Sequence, residues 1–162
     1  EAAELLSETP RPPRVLLYGA GHVGKALADV LHLLGLEVVV TDERGELLTT
    51  ERFPHARRRL VPSAETAVDA EAADLVIIAT HTHALDYTLA LAALRSPAHY
   101  VGMLGSRKKN DLFRPRLLRD GIAQTDIDAR FHSPVGLPIG AQTPEEIAVS
   151  IAAEIVADLN RP

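Results

Sequence analysis

Apolar positions along this chain follow two alternating rhythms. The runs Arg14–Tyr18, Glu37–Thr41 and Asp74–Ala79 are dense in Val, Leu and Ile, the pattern of strands covered on both faces, and a further strand is predicted at Ala98–Gly102. Between them the apolar residues recur at helical spacing. Val23, Leu27, Val30, Leu31 and Leu34 make one such stripe, which Gly35 terminates. Further helices are predicted at Thr82–Leu94, at about Arg107–Asp120 and at Pro144–Leu159, with a weak one around Glu46–Phe53. Less defined strands are expected near Arg58–Val61 and Ala129–Ser133. Strands alternating with helices imply parallel pairing through right-handed crossovers, hence a doubly wound α/β domain. About six strands in the order 3-2-1-4-5-6 are expected, with ligands outside their carboxyl ends. Residues 1–13, ending in Pro10-Arg-Pro-Pro13, read as a linker or tail, and 14–162 as one domain.

The turn after the first strand carries Gly19-Ala20-Gly21-His22-Val23-Gly24, a G-x-G-x-x-G sequence between strand and helix. In a Rossmann-type, nucleotide-binding loop the first glycine permits the tight turn, the second lets backbone approach a pyrophosphate, and the third lets the helix pack closely. The phosphate then meets free N–H groups at the positive end of the helix. Asp42, closing the second strand, stands where an acid binds a ribose and favours NAD-like over NADP-like ligands, a preference that Arg44 weakens. Gly19, Gly24 and Lys25 also nearly spell a phosphate loop of the NTPase kind. Ala26 stands where that chemistry needs a magnesium-binding hydroxyl, which argues against NTP hydrolysis by that route.

Other candidates lie at the same sheet edge. Thr80-His81-Thr82-His83 follows the fourth strand, where Thr80 and His81 can contact a ligand and Thr82 can cap the next helix. His81, His83 and His132 are too loosely related in sequence to define a metal centre, so none is expected. Gly105-Ser106-Arg107 opens a helix after the fifth strand and offers a second anion site, about two strand spacings, on the order of 10 Å, from the first loop. The alternative is that Ser106 merely caps the helix and Arg107, Lys108 and Lys109 form a solvated first turn. Thr143-Pro-Glu-Glu146 reads as a capping box, and Gly136–Gly140 before it can shape a pocket wall.

The formal net charge of −5 gives no electrostatic drive toward nucleic acid or an anionic membrane, and Arg57-Arg-Arg59 reads as a solvated strand edge. No stretch approaches the length of a membrane span, so a soluble protein is expected, compatible with the cytoplasm. The absence of cysteine excludes disulfides, thiolate zinc sites and cysteine-ligated iron–sulfur clusters from this chain. It begins at Glu1 rather than at a methionine, which makes a fragment or a processed form an expectation.

Four segments together resemble the xanthine dehydrogenase accessory family, XdhC/CoxI, in its C-terminal Rossmann domain. They are Gly-Ala-Gly-His-Val-Gly at 19–24, Thr-His-Thr-His at 80–83, Val-Gly-Met-Leu-Gly-Ser-Arg at 101–107 and His-Ser-Pro-Val-Gly-Leu-Pro-Ile-Gly at 132–140. Thr-Pro-Glu-Glu-Ile-Ala at 143–148 completes the pattern. The resemblance implies a chaperone that binds molybdenum cofactor, as molybdopterin or its dinucleotide form, helps its sulfuration and delivers it to a molybdenum hydroxylase apoenzyme. Longer members of that family carry an N-terminal region with cysteine-containing segments. Two functions therefore stay open: a cofactor-insertion factor holding a nucleotide or pterin phosphate, and an NAD(P)-dependent oxidoreductase module. No catalytic set beyond His81 and His83 is legible and no separate substrate domain is evident, which places the oxidoreductase second. A homodimer is left open.

Overall fold

The computed structural model describes residues 13–61 and 68–162. The expected tail falls almost wholly on residues 1–12, outside the described residues. The first half of the sheet is β1 (Arg14–Tyr18), β2 (Glu37–Asp42) and β3 (Arg57–Leu60), with helix α1 (His22–Leu33) between β1 and β2. Then come β4 (Leu75–Ile78), α2 (His83–Arg95), β5 (Tyr100–Met103), α3 (Arg107–Arg119), α4 (Gln124–Arg130), β6 (Phe131–His132) and α5 (Pro144–Leu159). All six strands are parallel in the order β3-β2-β1-β4-β5-β6, as the alternation predicts.

Because side chains alternate across a strand, each apolar run feeds two cores. Val15, Leu17, Val38, Val40, Leu75 and Ile77 face α1 and α5, whose Leu27, Leu31, Ile151 and Ile155 complete one layer. Leu16, Tyr18, Val76, Ile78, Val101 and Met103 face the other way, onto Tyr87 and Leu94 of α2, Phe113 and Leu117 of α3 and Ile127 of α4. In α1 the buried residues are Gly24, Leu27, Ala28 and Leu31, a spacing that sets one stripe against the sheet. Gly35 ends that helix at φ +77°, with the Leu36 amide reaching back to Leu31 O at 3.0 Å. At the amino edge Arg14 fastens β1 to β4, its Nε and Nη2 donating to the buried Asp74 carboxylate at 3.0–3.2 Å.

Two elements differ from the expectation. The helix expected around Glu46–Phe53 is only a 3₁₀ turn, Gly45–Leu47. Thr49 then folds the chain into a second turn, accepting the Arg52 amide on Oγ1 at 3.1 Å and the Phe53 amide on its carbonyl at 3.0 Å. Phe53, 1% exposed, covers the sheet there in place of a helical stripe. Near Ala129–Ser133 the strand shrinks to Phe131–His132, and the preceding residues form α4. That short helix buries only Ile127, so no apolar period announced it. Its exposed face carries the i,i+4 pairs Gln124–Asp128 at 2.8 Å and Asp126–Arg130 at 3.2 Å.

The loop after β6 is bound to α5. His132 stacks on Tyr100, ring centroids 4.1 Å apart, and its Nδ1 lies 3.4 Å from Glu154 Oε1. The other carboxylate oxygen accepts the Gly136 amide, and Leu137 N donates to Ser150 O at 3.1 Å. Burial alone would raise the Glu154 pKa, but the hydrogen bonds from His132 and Gly136 hold it below the ordinary value. A carboxyl whose pKa falls on folding stabilises the protein above its unfolded pKa of about 4.3, and that stabilisation is lost as pH falls through the lower folded value. Glu154→Gln is therefore expected to lower stability by about 1 kcal/mol at neutral pH. Urea unfolding followed across pH should show the gap to the parent closing on acidification, and a gap independent of pH would contradict the assignment.

Candidate functional site

Every residue singled out for ligand chemistry leaves the sheet at its carboxyl end. After β1, Gly19 takes φ +121°, donates its amide to Thr41 O at 2.9 Å, and lies so close to β4 that a Cβ would sit 2.1 Å from Ala79 O. Gly24 lets α1 descend onto the same turn, since its Cβ would meet Gly19 O at 2.0 Å. The middle glycine is different. Gly21 caps α1 in an ordinary extended conformation, and a Cβ there would meet nothing within 4 Å. Helix α1 therefore begins with no side-chain cap and no acid in its first turn. The amides of His22, Val23 and Gly24 precede the first intrahelical bond, Lys25 N to Gly21 O at 2.9 Å. Lys25 itself pairs with Asp29 one turn along the helix.

The loop is gripped from two sides. Asp42, 8% exposed, accepts the Ala20 amide at 2.8 Å on Oδ2. Arg44 supplies three more donors to the same carboxylate, its amide at 2.8 Å and Nε and Nη2 at 2.9 Å each. Burial pushes the Asp42 pKa up, but these hydrogen bonds and the Arg44 charge outweigh it and hold the carboxyl below its usual range. From the other side Arg52 Nη1 donates to Ala20 O and to Leu47 O at 2.7 Å each, and Nη2 reaches Gly21 O at 3.5 Å. Both oxygens of Asp42 are thus engaged by its own chain, and the Ala20 amide is committed to it.

After β4, Thr82 caps α2 through Leu85 N at 3.2 Å, as read from sequence. Thr80 turns inward, its Oγ1 donating to Asp86 Oδ1 at 2.5 Å. The other oxygen of Asp86 meets Lys109 Nζ, which also donates to Leu104 O at 3.0 Å. Asp86 and Lys109 are 2% and 7% exposed, so this is a buried ion pair linking the exits of β4 and β5. Lys109 consequently does not belong to a solvated first turn. Residues successive on a helix point about 100° apart, so the third basic residue faces inward while Arg107 and Lys108 stay exposed. Ser106 caps α3 by accepting Lys109 N at 3.3 Å. Thr143 and Glu146 form the expected capping box on α5.

The histidines do not converge. His81 Nε2 lies 3.3 Å from Glu43 Oε1, His83 is exposed, and His132 is held at β6 by Tyr100 and Glu154. Among the described residues no three His, Cys, Asp or Glu side chains gather as metal ligands. Sequence reasoning missed Glu43, Arg52 and Asp86. The one available signal was Asp86, an acid interrupting the apolar register of a helix that packs on the sheet.

A sequence model of the XdhC Rossmann domain matches residues 15–155. The chain belongs to the XdhC Rossmann domain family. It is 40% identical over 151 residues to YqeB of Escherichia coli (strain K12), a protein itself uncharacterized, across 89% of this chain and 27% of that one. It is 36% identical over 152 residues to a Bacillus subtilis (strain 168) protein named as a probable xanthine dehydrogenase subunit, across 92% of this chain and 44% of that one. The crystal structure of a xanthine dehydrogenase from Bacillus halodurans superposes with a TM-score of 0.77 at 30% identity, covering 93% of this chain and 45% of its own. The chuY protein of Escherichia coli CFT073, at 17% identity and TM-score 0.53 over 94% and 92% of the two chains, shares the fold alone. This XdhC domain thus spans between about a quarter and just under half of the longer relatives. No helix among its described residues is long and apolar enough to cross a membrane.

The buried pair of this XdhC domain can be tested directly. Removing one partner leaves an uncompensated buried charge, so Lys109→Met is expected to cost about 3–5 kcal/mol, whereas Asp86→Leu combined with Lys109→Met should recover much of the loss. Chemical denaturation of the three variants measures this. A single variant as stable as the parent would show that the pair is not buried in solution.

Proposed function

We propose that this domain is the phosphate-binding part of a cytoplasmic accessory protein that matures xanthine dehydrogenase-type molybdoenzymes. The observation that carries the reading is the start of α1, which is uncapped, without an acid in its first turn, and open above Gly21 where a Cβ would meet nothing. A helix start of that kind, held still by Asp42 on one side and Arg52 on the other, suits an anion better than any other ligand. The residues fit the diphosphate shared by an NAD-like dinucleotide and the dinucleotide form of molybdenum cofactor, and equally the single phosphate of molybdopterin. When bound, the pterin form would supply the dithiolene that carries molybdenum, while this chain's own part is to hold the phosphate and orient what is attached to it.

In this reading the amides of His22, Val23 and Gly24 meet the phosphate, and Gly21 allows its approach. Asp42 contributes chiefly by fixing the loop. Thr80 and His81 flank it from β4, and Ser106 with the exposed Arg107 offers a second anion contact at the β5 exit. The apoenzyme of a molybdenum hydroxylase is the proposed recipient. Support for that comes from family membership and from relatives whose names refer to xanthine dehydrogenase.

Calorimetric titration with NAD⁺ and with molybdopterin, alongside mass spectrometry of small molecules released from the purified protein, tests the site. Gly21→Val should reduce phosphate-ligand affinity tenfold or more while the thermal unfolding profile stays close to the parent's, and a folded variant with unchanged affinity would refute the placement. The second contact has its own expectation. Arg107→Ala should weaken binding by about 1.5–3 kcal/mol, the range for hydrogen bonds to charged groups, and parental affinity would leave Arg107 a solvated residue.

A further inference from the structure

The contact between His81 and Glu43 joins two strand exits that are not neighbours. Glu43 follows β2 and His81 follows β4, and β1 with its glycine loop lies between them. The three exits are still tied together at this level, by Gly19 N to Thr41 O at 2.9 Å and Ala79 N to Tyr18 O at 2.8 Å. A side-chain contact from β4 to β2 therefore spans two strand spacings, on the order of 10 Å, across the end of β1. His81 Nε2 lies 3.3 Å from Glu43 Oε1, so the two side chains together form a strap across the exit of β1, from which the glycine loop leaves.

Resting on the reading that a phosphate binds at the start of α1, we propose that Glu43 is a built-in competitor for that phosphate. It occupies the imidazole of His81 when the site is empty and surrenders it to the ligand when the site is filled. The chemistry on either side favours such an exchange. Arg44, the cation adjacent to Glu43 in sequence, turns its Nε and Nη2 to Asp42, so its charge reaches Glu43 only at longer range, while His81 Nε2 makes the direct contact with the Glu43 carboxylate. The side chains are 40% and 27% exposed, and polar contacts of that exposure are weak enough for a phosphate to break. A phosphate seated on the first turn of α1 brings a denser negative charge to the same imidazole, and Glu43, released, swings away from a like charge. The strap thus sets a threshold. Uncharged nucleosides gain nothing by opening it, whereas diphosphate-bearing ligands replace its one contact with their own.

The test is a double-mutant cycle on the whole chain, with inorganic pyrophosphate, NAD⁺, molybdopterin cytosine dinucleotide and adenosine as titrants. Glu43→Gln should tighten pyrophosphate binding about two- to fivefold, and His81→Gln should weaken it. In the His81→Gln background the additional Glu43→Gln change should bring little further gain. Adenosine affinity should stay at the parental value throughout, and whichever dinucleotide follows the pyrophosphate pattern identifies the source of the diphosphate. Independently of affinity, the His81 imidazole resonances should move on Glu43→Gln in ligand-free protein. A gain as large without His81 as with it would reduce Glu43 to a general repulsive charge and overturn the exchange, as would an unmoved His81 resonance. Should the folded parent bind none of the phosphate ligands, the site reading itself fails and takes the exchange with it; loss of binding in Gly21→Val with no response to Glu43→Gln overturns the exchange alone.

Discussion

A carboxylate taken out of water must be met by donors, and at Asp42 the donors come from the segments whose positions matter most. One is the amide of Ala20, in the middle of the glycine turn, and the others belong to Arg44 on the way out of β2. Satisfying the acid therefore fixes the turn. Arg52 completes the arrangement by binding the turn's carbonyls, so a segment with two glycines in three residues, intrinsically the loosest part of the chain, is held at its N–H and C=O groups alike. For the anion site proposed above, an open helix start is of use only if the turn before it is fixed, and this pair of grips holds that turn from both sides.

The same economy recurs one strand over. Asp86 holds Thr80 in place and Lys109 at the start of α3, so the loops after β4 and β5 share a single buried junction. Hydrophobic residues of equal volume would stabilise such a junction at least as well, which makes fixing two loops relative to each other the more economical explanation of why charge is used. With Asp42 on one side and Asp86 on the other, the exits of β2, β1, β4 and β5 become one connected surface.

Much of this was legible beforehand because the governing physics is local. The strand order followed from alternating periodicities, the caps at Thr82 and Thr143 from hydroxyls placed before helical stripes, and the turn from Gly19 and Gly24, whose missing Cβ atoms the backbone requires. What escaped depends on distant partners. Nothing near Arg52 in sequence says that it will reach Ala20, 32 positions away, and Lys109 looks like its neighbours Arg107 and Lys108 until the sheet decides which helical face is inside. The failed helix at Glu46–Phe53 has a different cause: a single buried aromatic replaced an apolar stripe, and periodicity cannot register one residue. Structural roles were thus legible where one residue type performs a backbone task, and hidden where a side chain completes a network.

The two margins of the sheet are closed off in different ways. On one side β3 presents Arg57, Arg58 and Arg59, all exposed, and on the other β6 has only two residues before its loop folds onto α5. A free strand flank is normally an invitation to another strand, and a row of like charges or a very short strand withdraws it. Among the described residues, continuous β-structure shared with a second molecule is thereby discouraged at both flanks. The faces left open to contact among those residues are therefore helices, loops and the carboxyl-edge surface rather than the flanks of the sheet.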